Sequence, residues 1–85
     1  MGASYTLAII GGGNMGAALL GGLIKVGWAA PGQLAVVEII PARRAQLVEQ
    51  FPGVHVTDEI PRCDAALIAV KPGDVPAAVA AAVAA

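Results

Sequence analysis

The stretch Leu7–Gly16 reads LAIIGGGNMG and constrains the fold more than any other part of the chain. A short apolar run stops at Gly11, Gly12 and Gly13. Asn14 and Met15 follow, then Gly16, and a helical pattern begins. Gly11, Gly13 and Gly16 give the spacing G-x-G-x-x-G between a strand and a helix. The first glycine permits a tight turn, the second lets backbone approach a pyrophosphate, and the third lets helix pack closely on strand. Phosphate groups would then sit on unpaired N–H groups at the positive end of the helix dipole. The spacing alone is weak, so the rest of the chain must supply the context.

It does so in order. Tyr5–Ile10 is apolar throughout, as expected of a strand buried on both faces. Asn14–Val26 is helical, with Met15, Leu19 and Leu23 on one stripe and Gly16, Leu20 and Ile24 on the next. Gly27 is a C-terminal stop, and Pro31-Gly32 marks a turn. Leu34–Glu38 is a second strand. Pro41 or Ala42 opens a second helix, to about Gln50, with Leu47 and Phe51 apolar, and Pro52-Gly53 ends it. Val54–Thr57 is a short strand. Asp64–Val70 is another continuously apolar one, broken by Lys71-Pro72-Gly73. Val75–Ala85 reads as an alanine-rich helix capped by Asp74. The order β-α-β-α-β-β-α predicts an α/β fold: a doubly wound, Rossmann-like parallel sheet of about four strands. Six strands are usual in such domains, so the chain reads as truncated.

Composition removes other classes. Of 85 residues, 58% are hydrophobic and 13% charged, which leaves little to cover the surface of a free-standing domain. The chain is expected to belong to a larger protein or to bury area against a partner. Net charge is −1 and the cations are scattered, so no nucleic-acid footprint is expected. The single cysteine, Cys63, fits a reducing, cytoplasmic setting and a small core position. No His/Cys cluster offers a metal site. The apolar stretch from Leu7 to Ile24 contains six glycines and changes period halfway, which argues against a membrane span. The start MGASYT matches a myristoylation pattern, but Tyr5 already begins the strand.

The chemistry-bearing residues gather around the glycine loop. Glu38 lies 22 residues beyond Gly16, at the end of the second strand. An acid there accepts hydrogen bonds from the adenosine ribose hydroxyls. Arg43 and Arg44 follow near a helix start. They read either as ligands of a 2′-phosphate or as surface charges, and the Glu38 carboxylate argues against the phosphate. Lys71 stands at the carboxyl edge of the sheet, where ligands bind; taken alone it reads as a solvated strand end. His55 has no acid or nucleophile partner and reads as structural or exposed. Asp58, Glu59, Arg62 and Asp64 read as a solvated loop.

Taken together, IIGGGNMGAALLGGLIKVG, PARRAQL, FPGV and DAALIAVKPGDV resemble the N-terminal domain of the pyrroline-5-carboxylate reductases, from about Tyr5 to Val75. The most specific parts are G-N-M-G with A-x-L-x-G-G-L after it, and A-V-K-P. That resemblance implies reduction of 1-pyrroline-5-carboxylate to proline with NADP(H) or NAD(H). It implies a pyrophosphate loop at Ile10, Gly11, Gly12, Gly13, Asn14 and Met15, and Glu38 at the adenosine-ribose position. Ala69, Val70, Lys71 and Pro72 would line the nicotinamide-ribose side. Family members often carry a small hydroxyl or amide residue where this chain has Glu38, which leaves NAD against NADP open. The resemblance also implies a following helical domain that forms the homo-oligomer and most of the substrate pocket. None of that domain lies within residues 1–85, so no catalytic residue is expected in them. A hydroxy-acid dehydrogenase, a deazaflavin-dependent NADP reductase and a non-catalytic dinucleotide-binding module remain alternatives.

Overall fold

A computed structural model describes residues 4–69. They form β1 (Tyr5–Ile10), α1 (Asn14–Lys25), β2 (Leu34–Val37), α2 (Pro41–Gln50), β3 (His55–Thr57) and β4 (Cys63–Ile68), with a single 3-10 turn at Pro31–Gln33. The expected Val75–Ala85 helix and the Lys71-Pro72-Gly73 turn lie outside the described residues. The four strands make one parallel sheet in the order β3-β2-β1-β4. The chain winds outward from β1 to β3, then returns to place β4 on the other side of β1. This is the Rossmann-like arrangement, and the reversal puts a crevice beyond the carboxyl ends of β1 and β4.

Local chemistry sets the element ends. Gly27 adopts φ +72°, and the Gly27 and Trp28 N–H groups donate to the Ile24 and Leu23 carbonyls. That pair of bonds is the Schellman closure of a helix, which needs a left-handed residue. It stops α1 at Lys25, with Val26 as the cap. Pro41 is the first residue of α2, where its missing N–H costs nothing, and Ile40 before it is extended.

Residues 7–10 of β1 and 34–37 of β2 are buried on both faces, which explains their unbroken apolar runs. On one face Leu7, Ile9, Leu34 and Val36 pack with Ala17 and Leu20 of α1 and Leu47 of α2. Both helices lie on this face because two successive right-handed crossovers run in the same direction. Of the two expected stripes of α1, the one with Gly16 and Leu20 faces the sheet. Met15 is 67% exposed and Leu19 is exposed as well. Gly16 decides this: a Cβ on it would lie 1.9 Å from the Gly11 carbonyl oxygen, so only a glycine-bearing face can approach so closely.

Two expectations fail at β4. Its residues Asp64–Leu67 are exposed, and Cys63 is half-buried, not a core residue. β4 is the end strand of the described sheet, while α1 and α2 cover the other three. An apolar run reports a strand and says nothing of its place in the sheet. His55 is exposed, and its ring stacks on Tyr5 with centroids 5.0 Å apart.

Leu47 is fully buried and joins α2 to the sheet. Leu47→Ala should lower unfolding free energy by about 2–5 kcal/mol in denaturant titration. Met15→Ala should stay within about 0.5 kcal/mol of the parent. Equal effects would mean that the face of α1 turned to the sheet is misassigned.

Candidate dinucleotide-binding site

The parallel register aligns the carboxyl ends of three strands: Ile10 pairs with Val37 on one side and Ile68 on the other. The ladder continues one residue beyond. Gly11 N–H donates to the Val37 carbonyl (2.9 Å), Ala69 N–H to the Ile10 carbonyl (2.8 Å), and Glu38 N–H to the Thr57 carbonyl (2.8 Å). Gly11, Glu38 and Ala69 therefore stand side by side at the sheet edge.

Each glycine of the loop has its own reason. Gly11 turns the chain with φ +110°, a left-handed conformation that favours glycine. Gly16 admits the Gly11 carbonyl against α1. Gly13 has an extended backbone that any residue could adopt, and a Cβ there would meet nothing within 4 Å. The space above Gly13 is open, as close approach by a ligand requires. Gly12, an unspecified position in the motif, is also closely packed. A Cβ on it would lie 2.6 Å from Leu47 Cδ1 and 3.1 Å from Glu38 Cβ. The spacing gave no signal for this, because the restriction comes from α2, far along the chain.

Helix α1 starts without a side-chain cap and without an acid in its first turn. Its first backbone bond is Ala17 N–H to the Gly13 carbonyl, 2.9 Å. The N–H groups of Asn14 and Met15 therefore have no intrahelical acceptor. They sit at the positive end of a 12-residue helix, next to the open space at Gly13.

The second strand's end is built into this loop. Glu38 is buried, 9% exposed. Its Oε1 accepts a hydrogen bond from Gly12 N–H (3.0 Å) and its Oε2 one from Ile40 N–H (2.9 Å). Hydrogen bonds to a charged acceptor are worth about 1.5–3 kcal/mol each, which offsets burial of the carboxylate. Each oxygen keeps a second lone pair for a further donor. Arg43 Nε donates to the Gly12 carbonyl (2.6 Å) and its Nη1 to Gln46 Oε1 (3.0 Å). Arg44 Nη1 donates to the Glu38 backbone carbonyl, 2.8 Å. Both arginines are half-buried and tied to the turns they flank, so the plain surface-charge reading does not hold.

Ile10, Gly11, Gly12, Gly13, Asn14, Met15, Gly16, Glu38, Arg43, Arg44 and Ala69 thus meet at one edge of the sheet. Val70, Lys71 and Pro72 lie outside the described residues. Among the described residues no group of three or more His, Cys, Asp or Glu side chains is placed to hold a metal ion. No helix among them is long and apolar enough to cross a membrane.

A Rossmann-like sheet with a glycine turn after β1 and an acid after β2 defines a class of nucleotide-binding domain. Within that class, the chain belongs to the family described as NADP oxidoreductase, coenzyme F420-dependent, whose model matches residues 6–85. It is similar to the pyrroline-5-carboxylate reductase of Escherichia coli (strain K12), 41% identical over 71 residues, covering 79% of this chain and 26% of that relative. The enzyme of the same name from Mycobacterium leprae (strain TN) is 39% identical over 71 residues, covering 81% and 24%. That of Mycobacterium tuberculosis (strain ATCC 25618 / H37Rv) is 40% identical over 72 residues, with the same coverage. The chain spans about a quarter of the length of these curated relatives. No solved structure matches it significantly.

Gly16→Ala should cost more than about 3 kcal/mol, since the blocking atom is backbone, and Gly12→Ala about 1–3 kcal/mol through Leu47 and Glu38. Thermal or denaturant unfolding measures both. A Gly12→Ala protein as stable as the parent would contradict the packing described at this turn.

Proposed function

We propose that the chain is the cofactor-binding part of a cytoplasmic NAD(P)H-dependent reductase that converts 1-pyrroline-5-carboxylate to proline and works as a homo-oligomer at full length. The observation that carries the cofactor reading is the joined loop. A glycine turn with open space at Gly13 and unpaired helix N–H groups is bonded directly to a carboxylate at the second strand's end. The names of the similar reductases support the substrate.

The residues present fit a dinucleotide. The N–H groups of Gly13, Asn14 and Met15 would hold the pyrophosphate, with the helix dipole favouring its charge. Glu38 would accept the adenosine-ribose hydroxyls on its remaining lone pairs. Ala69, followed in sequence by Val70, Lys71 and Pro72, would line the nicotinamide-ribose side. The reduced nicotinamide, when bound, supplies the hydride that an imine carbon accepts. Hydride transfer needs the substrate fixed against that ring, and that positioning is assigned to parts of the enzyme outside residues 1–85.

Glu38 also bears on which nucleotide is preferred. Its carboxylate is held at both oxygens, which sets its charge against a 2′-phosphate on the neighbouring ribose. Arg43 and Arg44 direct donors to the carbonyls of Gly12 and Glu38. These contacts support a preference for NAD(H).

At full length, the protein should oxidise NADH when given 1-pyrroline-5-carboxylate, read as loss of reduced-nicotinamide absorbance. Gly13→Val should abolish nucleotide binding while leaving the fold stable. Glu38→Ser should shift the NADH-to-NADPH affinity ratio toward NADPH. Full-length protein that binds nucleotide but reduces NADP with a reduced deazaflavin, and not the pyrroline, would replace this reading with that of the wider family. Nucleotide affinity that survives Gly13→Val would remove the loop from the site.

A further inference from the structure

The contact between Arg43 and the loop also bears on the loop's own geometry. Arg43 lies in the first turn of α2, 31 residues from Gly12, yet its Nε donates to the Gly12 carbonyl at 2.6 Å. The same glycine's N–H donates to Glu38 Oε1 at 3.0 Å. One residue therefore has its N–H on a carboxylate and its carbonyl on a guanidinium, both supplied from the β2–α2 side. These bonds fix the orientation of the peptide planes on either side of Gly12. The plane after Gly12 carries the Gly13 N–H at its other end. Fixing the Gly12 carbonyl thus fixes where the Gly13 N–H points.

A second observation concerns the start of α1. A helix bond from Gly16 would run to the carbonyl four residues earlier, which is that of Gly12. That carbonyl accepts Arg43 Nε, and the first bond of α1 is Ala17 N–H to the carbonyl of its N-cap, Gly13. The helix does not extend back into the loop, and the N–H groups of Asn14 and Met15 have no intrahelical acceptor. The position of Arg43 is itself held, because its Nη1 donates to Gln46 one helical turn on.

We propose that Arg43 is a positioning residue of the pyrophosphate loop, aiming the Gly13 N–H through the Gly12 carbonyl, and is not a ligand of a 2′-phosphate. This rests on the cofactor reading of the loop. The two roles make opposite predictions about nucleotide selectivity. A positioning residue serves the pyrophosphate, which NADH and NADPH share. A 2′-phosphate ligand serves only NADPH.

The test measures binding of NADH, NADPH, ADP-ribose and adenosine to the protein at its natural full length, in wild type and in Arg43→Met. Affinity for NADH, NADPH and ADP-ribose should fall by the same factor, about tenfold to a hundredfold, the scale of one charge-assisted hydrogen bond. Adenosine, which lacks the pyrophosphate, should bind unchanged. Loss confined to NADPH overturns the proposal in favour of direct phosphate contact. Parallel loss of adenosine overturns it in favour of general damage to the fold. Unchanged affinities overturn it outright. Should Arg43→Met not fold, Arg43→Lys is read by the same comparison, since it removes the Nε donor and retains the charge. Wild-type protein that binds neither dinucleotide defeats the cofactor reading itself, whereas Arg43→Met matching a wild type that binds defeats this proposal alone.

Discussion

The carboxylate of Glu38 on the N–H of Gly12 is the contact on which the site depends. It joins two turns 26 residues apart, one after β1 and one after β2. With the Arg43 donor on the Gly12 carbonyl, it ties the turn after β1 to the β2 side beyond the strand pairing itself. A buried carboxylate is costly unless its lone pairs are used. Here Gly12 and Ile40 supply N–H donors, and Glu38 sits near the start of α2, where the helix dipole favours negative charge. Glycine at position 12 lets this contact form without displacement, since a side chain there would press on Leu47 and Glu38.

The sheet brings these groups together by topology. Parallel strands put all their carboxyl ends on one edge, and the return to β4 opens that edge beside β1. The core supports this from one face, where Leu20 of α1 and Leu47 of α2 meet Ile9 and Val36. Leu47 serves both roles: it fills the core and abuts the loop at Gly12. Stability of the fold and shape of the site are therefore coupled at a single side chain.

Much of this was legible in the sequence, for identifiable reasons. Gly27 and Pro41 are conformational specialists, so they mark helix ends locally. The runs at 7–10 and 34–37 are apolar at every position, which only strands buried on both faces require. The loop spacing and the distance to Glu38 follow from βαβ geometry. What was not legible depends on contacts between distant residues. The stripe of α1 that faces the sheet is chosen by the approach of Gly16 to Gly11, not by hydrophobicity, since Met15 and Leu19 are more apolar than Gly16. The run at β4 is exposed where β4 ends the described sheet, and a run of residues does not tell where its strand stands in the sheet. Arg43 and Arg44 read equally well as phosphate ligands or surface charges until the structure places their donors on Gly12 and Glu38.

The central claim is that a preformed loop, locked by Glu38, receives a dinucleotide pyrophosphate at the start of α1. The most direct measurement is a crystal structure of the full-length protein with NAD(H) bound. Pyrophosphate oxygens should lie within hydrogen-bond distance of the Gly13, Asn14 and Met15 N–H groups, with a ribose hydroxyl on Glu38 and the Gly12–Glu38 bond intact. A nucleotide bound away from the loop, or a Glu38 side chain displaced from Gly12 on binding, would contradict it.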